Sequence, residues 1–404
     1  MENIFKNFPK ESILSMFFFF FLIVCFGAFL FSPLFLFLLT FSGLLIFSSF
    51  LHIRLLRFFI IIISFISFLI IVGSRNYYDE LNYDLSIYYG VYKSLQFDFY
   101  NNVFLFGGGV EIGWPIVYWI FGGFFDLSPI QLALFNTIIS LSIIILWVEL
   151  KVKPLVNRNE LGILYFCLFI FMNLSILGFL QRQALTIGLL LFSLTTKSNK
   201  RFLFLIFLAT LFHLSSCLVA FFIYLSKNIN FTKKKIIILF LSVVLFRMFF
   251  SLVIFKLLSF FTVFDSIVHK LSFFDNIGFQ ISTLRYVILF FFLFLIVFVY
   301  NKVDKNFKEL YNYAVFSSVF IVAFVGIPLF ADRIFMIGML VYGIFYFLFF
   351  YRRYKLFALF FAVLYFFIFI LEKTNTVGSL SLGDEYWARY DYIGETIFYY
   401  LSKI

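Results

Sequence analysis

The amino-acid sequence predicts an all-α polytopic membrane protein with about eleven transmembrane helices, a further helical pair broken near its middle, and amphipathic helices on the outer face. Three observations carry that expectation. Of the 404 residues, 64% are hydrophobic and only 13% charged, and the mean hydropathy is +1.08, whereas a soluble domain keeps about a quarter of its residues charged. Apolar runs of about 16 to 20 residues, the length that crosses a hydrocarbon core of ~30 Å, recur along the chain. Lys and Arg fall on one side when those runs are threaded alternately across a bilayer. Soluble enzymes, nucleic-acid binders and secreted scaffolds are thereby excluded. Cys25, Cys167 and Cys217 all lie in apolar runs, so neither a disulfide framework nor a thiolate metal site is expected. The 72 Phe residues partly reflect exchange of one lipid-facing residue for another and carry no functional weight.

The first run, 12–31, follows Lys6 and Lys10 and lacks a small-residue cleavage pattern, so it reads as a retained span. Further spans are expected over 34–51, 58–73, 130–149, 161–177, 179–196, 236–255, 285–300, 311–330, 334–350 and 356–371. Two weaker runs need arbitration. The first, 112–125, is short, and the second, 202–226, is interrupted by His213, Ser215 and Ser216. Placing 112–125 in the outer interface, and letting 202–226 enter from the cytoplasm, turn near His213 and return, puts every basic cluster on one side. The inner side then holds twenty Lys or Arg against six acids and the outer side ten against fourteen, with Arg247 within a span, which accounts for the net charge of +11. The basic excess is topological, and no nucleic-acid partner is expected. The N-terminus is placed in the cytoplasm and the C-terminus outside.

Residues 1–404 read as one membrane domain without repeats or linkers. Its long extracytoplasmic segment, 74–129, opens with SRNYYDELNYD and passes through GGGVEIGWP; 372–404 form an extracytoplasmic tail. Leu81, Leu85, Tyr88, Tyr89, Tyr92 and Leu95 recur at helical spacing, which predicts an amphipathic helix lying on the outer leaflet, in contact with membrane lipids. Residues 111–125 are expected to make a second.

Charged groups within or beside spans are costly and therefore candidates for function. In LGFLQRQALTIGLLLF, Arg182 and Gln183 stand at the outer end of a span with no nearby acid to neutralise the Arg. A guanidinium there suits a phosphate, which it binds bidentately; the alternative is snorkelling or a capping bond to carbonyls. His213 in LATLFHLSSCL stands at the break, where irregular backbone is tolerated only against protein or a wet cavity. It suits a general base or, when protonated, a diphosphate contact; the alternative is a structural hydrogen bond. Arg333 lies with Asp332 in the tight turn PLFADRIFM, as either a solvent pair or a buried cation. Arg285 is either an interfacial anchor or part of the same anion site. His52 and Arg247 read as structural, and His269 as a weak candidate. Asp79, Glu80, Asp84, Asp98 and Glu111 gather in the outer segment with Arg75, Tyr77 and Tyr78. Acidic and aromatic surfaces suit sugars, and an acid near the membrane suits proton transfer; Asp79 and Glu111 stand closest to a span or helix start. The GGG at 107–109 reads as a flexible turn, since no strand precedes it and no Lys-Ser/Thr follows. No metal-ligand spacing occurs, and no cofactor is expected.

The run QRQALTIGLLLF, the basic turn KSNKR and LFLATLFHLSSCLVAFF with its His-x-Ser break resemble the EpsG-like branch of the Wzy polysaccharide polymerases. RNYYDELNYD, GGGVEIGWPIVYWIF and ADRIFMIGMLVY are similar to that family too, so the resemblance covers roughly residues 70–350. It implies a GT-C-like membrane glycosyltransferase of the bacterial cytoplasmic (inner) membrane, acting at its outer face. Such an enzyme polymerises repeat units of O-antigen, capsule or exopolysaccharide carried on undecaprenyl diphosphate, in some systems with a chain-length regulator as partner. Arg182, Gln183 and His213 match the motif positions of the family, and Arg75, Asp79, Glu111 and Arg333 match more loosely. The sequence departs from the pattern at VEIGWP, where Glu-Pro-Gly is commoner, which leaves the role of Glu111 open. A flippase for the same lipid-linked units, a membrane acyltransferase using His213 and a non-catalytic scaffold are the competing readings. The long outer segment and the lack of two similar halves favour the polymerase over the flippase.

Overall fold

The computed structural model describes residues 10–73, 84–172, 177–178, 180–229, 231–249, 305–323, 337–338, 340–371 and 396–402, together with 291, 293–295 and 297–298. Among them every regular element is helical. In order these are α1 (Lys10–Phe31), α2 (Pro33–Ile46), α3 (Arg54–Val72), α4 (Asp84–Phe97), the single turn α5 (Phe99–Asn102), α6 (Gly113–Gly122), α7 (Pro129–Trp147), α8 (Leu161–Phe171), α9 (Gln181–Thr195), α10 (Asn199–Phe212), α11 (Ser216–Asn228), α12 (Lys233–Phe249), α13 (Lys308–Ala323), α14 (Lys355–Leu371) and α15 (Ile397–Leu401). A π-helical stretch, Val148–Val152, continues α7, and another, Tyr346–Tyr351, precedes α14. Arg54–Val72 and Pro129–Leu155 are long and apolar enough to cross a membrane, and five further apolar helices among the described residues are shorter.

Local sequence explains the ends that matter. The start of α7 is a capping box: Ser128 Oγ accepts from the Gln131 amide at 3.3 Å and Gln131 Oε1 accepts from the Ser128 amide at 2.9 Å, with Pro129 in the first turn where its missing N–H costs nothing. α10 stops where expected: His213 is extended (φ −158, ψ 120), and α11 restarts at Ser216. The turn frees the Leu214 amide from helical bonding and makes it available to a side chain.

The main core joins α2, α3, α7, α8, α9 and α13. At Gly188 a Cβ would stand 2.4 Å from Ile143 Cγ2, so the absent side chain lets α9 close tightly on α7, as small residues do between apolar helices. A smaller cluster, Tyr88, Val91, Tyr92, Leu95, Trp114 and Tyr118 among others, gathers α4 and α6 onto α7. Here the structure corrects an expectation. The apolar face of α4 does not lie on lipid, since Leu85, Tyr88, Tyr92 and Leu95 are buried in protein. Periodicity shows that a face is apolar but not what covers it. The Tyr92 hydroxyl bonds the Phe125 carbonyl and accepts from the Leu127 amide, and Lys93 pairs with Asp126, so α4 is seated on the link between α6 and α7.

At the far end of α7 an unexpected ion cluster closes the bundle. Arg57, which lies between the spans expected over 34–51 and 58–73, is 1% exposed. Its Nε and Nη2 reach Glu149 Oε1 and Oε2 at 2.6 and 3.0 Å, and Nη1 donates to the Leu51 carbonyl at 2.7 Å. Lys153 and the Tyr165 hydroxyl donate to the same carboxylate at 2.8 and 2.6 Å. Elsewhere in the core, Lys227 donates to the Ser193 and Thr196 carbonyls, and Asn312 Nδ2 to those of Ser226 and Ile229, which clamps the C-terminal end of α11 to α9 and α13.

Candidate active site

Arg182 enters the site because α9 begins at Gln181 and puts its second residue in the first turn. A cation is disfavoured there by the helix dipole, so a compensating anion is needed. Glu111 supplies it. Arg182 Nη1 donates to Glu111 Oε2 at 2.7 Å, and Arg182 Nε to the Tyr88 hydroxyl at 3.3 Å. The guanidinium lies over the rings of Tyr88 and Phe106, 5.4 and 5.0 Å from their centroids, an arrangement that adds cation–π attraction. The expectation of an Arg with no acid to neutralise it is therefore corrected: the partner is distant in sequence but adjacent in space.

The other oxygen of Glu111 serves the helix break. Glu111 Oε1 accepts from His213 Nδ1 at 2.9 Å and from the Leu214 amide at 2.7 Å. Burial pushes the Glu111 carboxyl up, but the hydrogen bonds from His213 and Leu214 and the charges of His213 and Arg182 outweigh it and hold the group below the usual carboxylate range. An ionised carboxylate only accepts, so His213 Nδ1 carries the proton that it donates to Glu111. Nε2 has no hydrogen bond among the described residues. Side-chain exposures separate the roles: Glu111 is 4% exposed, whereas Arg182 and His213 are 24% and 20% exposed. The carboxylate is enclosed and the two groups that it holds can be reached.

The glycine turn is more specific than a flexible link. Gly107 has φ +56, in the left-handed region, and a Cβ there would stand 2.4 Å from Glu111 Cγ. Only glycine satisfies both the backbone and the close approach. The Glu111 amide donates to the Phe106 carbonyl at 3.3 Å, so the loop turns Glu111 back toward Arg182 and His213.

Of the residues singled out from sequence, Arg182, Glu111 and His213 thus meet at one point. Gln183 is buried in the same first turn of α9. Asp79, Arg75, Tyr78, Arg285 and Arg333, with His269, lie outside the described residues. His52 is exposed and bonds locally to the Ser49 carbonyl. Asp98 caps α5 by accepting from Asn101. Tyr88 and Phe106, which flank the guanidinium, and Gln181 and Asn136 beneath it are site residues that a search for charge passes over. Among the described residues no three His, Cys, Asp or Glu side chains gather so as to hold a metal ion.

No curated protein and no solved structure gives a significant match to the chain. The model of the EpsG family matches residues 58–385, a stretch that runs from within α3 to beyond α14 and holds all three clustered residues, and the chain belongs to the EpsG family.

Proposed function

We propose that the protein is a multi-pass enzyme of the bacterial cytoplasmic membrane that extends a polysaccharide, whether O-antigen, capsule or exopolysaccharide. It transfers the growing glycan from undecaprenyl diphosphate to the next lipid-linked repeat unit at the outer face. The observation that carries this reading is the enclosed Glu111 carboxylate joining a reachable Arg182 to a reachable His213. A cation and an oriented base held by one carboxylate are what glycosyl transfer from a lipid diphosphate needs. Family membership points to polysaccharide synthesis. The membrane setting is supported by exposed side chains such as Phe19, Phe20, Phe26 and Phe31 on α1, Phe204 and Phe207 on α10, and Leu356 and Phe360 on α14. A water-facing surface does not carry contiguous apolar area on that scale.

In the proposed reaction His213 Nε2 takes the proton from an acceptor sugar hydroxyl. That oxygen forms a bond to the donor anomeric carbon while the bond from that carbon to the diphosphate oxygen breaks. Glu111 holds the imidazole in the productive tautomer and stabilises the imidazolium that forms, the part a carboxylate plays in a hydrolase triad. Arg182 meets the charge developing on the departing lipid diphosphate, a contribution of about 3 kcal/mol if it matches one oxyanion donor. Glu111 is thus assigned to orientation and not to proton abstraction. Arg285, Arg333 and Arg75 are proposed to help hold the diphosphate, Tyr78 and Gln183 the substrate, and Asp79 is the alternative base. Donor and acceptor are both lipid-linked, and no nucleotide sugar is required.

Deletion of the gene, followed by gel analysis of surface glycan, tests the assignment. Single repeat units on the final acceptor are expected. Complete loss of surface units would point to flipping, and unchanged long chains would overturn the polymerase reading.

A further inference from the structure

Beneath the Arg182–Glu111–His213 cluster lies a second polar group that the proposed chemistry does not use. Tyr118 of α6, Asn136 of α7 and Gln181 of α9 are each at most 1% exposed, within a cluster otherwise built from residues such as Trp114, Leu132 and Leu185. Asn136 Nδ2 donates both to the Tyr118 hydroxyl at 2.8 Å and to Gln181 Oε1 at 2.5 Å, and Gln181 Nε2 stands 3.5 Å from the Ala133 carbonyl. Three buried polar side chains contribute less than well-packed apolar ones of the same shape; their bonds to one another offset part of that cost, while Asn136 Oδ1 is buried without a partner among the described residues. Packing alone gives no reason for them.

Their placement does. Gln181 immediately precedes Arg182, and Tyr118 lies on the helix that begins at Gly113, two residues after Glu111. α9 starts after Leu180 without a side-chain cap, so its own sequence does not fix the direction of its first turn. One amide, on a third helix, therefore ties together the helix whose first turn carries Arg182 and the helix that starts two residues after Glu111. We propose that Asn136, acting through Gln181 and Tyr118, is a positioning residue that sets the Arg182 guanidinium relative to Glu111 and His213. This rests on the reading of Arg182 as the diphosphate contact. Asn136 touches neither substrate nor reacting atoms; it acts by placement, where an error of 1 Å can cost about a hundredfold in rate.

The test uses full-length protein in membranes, with a lipid-diphosphate-linked oligosaccharide as substrate and the rate of chain extension expressed per folded molecule. Asn136→Leu removes both donated bonds at similar volume. Its kcat is expected to fall at least about tenfold, with KM for the lipid-linked unit changed by less than about threefold. Arg182→Lys keeps the charge and loses the planar fork; on that background Asn136→Leu should cost almost nothing more, because both act through the same guanidinium. If Asn136→Leu alone leaves too little folded protein, Asn136→Leu combined with Gln181→Leu and Tyr118→Phe removes the unpaired groups and must show the same loss. A parental rate from the folded variant overturns the proposal, as does an Asn136→Leu loss that multiplies in full with that of Arg182→Lys. A parental rate from Arg182→Ala, measured alongside, strikes the underlying reading of Arg182 and this proposal with it.

Discussion

Two carboxylate clusters stand near opposite ends of α7, and they are built differently. Glu149 follows Asn136 by thirteen residues, a separation of roughly 20 Å at the helical rise of 1.5 Å per residue. Around Glu149, Arg57 is 1% exposed, and Tyr165 and Lys153, the latter 33% exposed, complete a set that leaves neither oxygen unused. Around Glu111 the carboxylate is the more enclosed of the two, 4% exposed against 11% for Glu149, yet the Arg and His it binds are each a fifth to a quarter exposed. The first arrangement spends its charges on one another and joins α3, α7 and α8. The second holds two groups ready for something else. A buried carboxylate is therefore not in itself a sign of function; what differs is the arginine it holds, sealed at 1% exposure beside Glu149 and reachable at 24% beside Glu111.

The contrast is broken most severely at the closed end. Arg57→Ala leaves Glu149 buried with Lys153 and Tyr165 as its remaining partners and is expected to destabilise the fold by about 3–5 kcal/mol, seen as a lowered thermal midpoint and reduced protein in membranes, with activity per folded molecule unchanged. At the open end, His213→Asn keeps a donor toward Glu111 and removes the base. Chain extension should fall by about a hundredfold while the amount of protein stays near parental; a normal rate would make the imidazole structural. Gly107→Ala forces a side chain into the left-handed region and against Glu111, with an expected cost of about 1–3 kcal/mol and a loss of activity that exceeds the loss of folded protein.

The smallest effect is that of pH. The Glu111 carboxyl is held below its ordinary range in the folded protein, so its pairing adds stability that is complete above that range and is lost as pH falls through the folded value. Glu111→Gln should therefore differ from the parent in thermal midpoint at neutral pH, and the difference should shrink as the solution is acidified below the ordinary carboxylate range. A difference that is constant with pH would remove Glu111 ionisation from the account.

How much of this was legible in sequence follows from the range of the interactions. The helices were, because apolar runs and punctuation such as Ser128-Pro129 or His213-Leu214-Ser215-Ser216 act locally. Arg182 and His213 stood out as polar groups in apolar surroundings. Their meeting with Glu111 did not, since it joins residues 71 and 102 positions apart. Arg57 was hidden by its position among loop cations, and only the fold shows that Glu149 reaches it from 92 residues away. Asn136 and Gln181 are uncharged amides on helices that otherwise read as apolar, so a search for expensive charges passes over them. The seating of α4 was missed for a different reason: protein and lipid cover an apolar face equally well.

The central claim is that Arg182 works on substrate whereas Arg57 works on the fold, and one paired measurement addresses it. Arg182→Ala and Arg57→Ala are expressed as full-length chains, membrane amounts are matched, and surface glycan is resolved on a gel. The account predicts near-parental amounts of Arg182→Ala, since Glu111 keeps His213 and the Leu214 amide, with chain extension reduced by at least about a hundredfold to single repeat units; Arg57→Ala fails in amount but extends chains in proportion to what folds. Long chains from amount-matched Arg182→Ala, or a loss of that protein equal to the loss of Arg57→Ala, would contradict it.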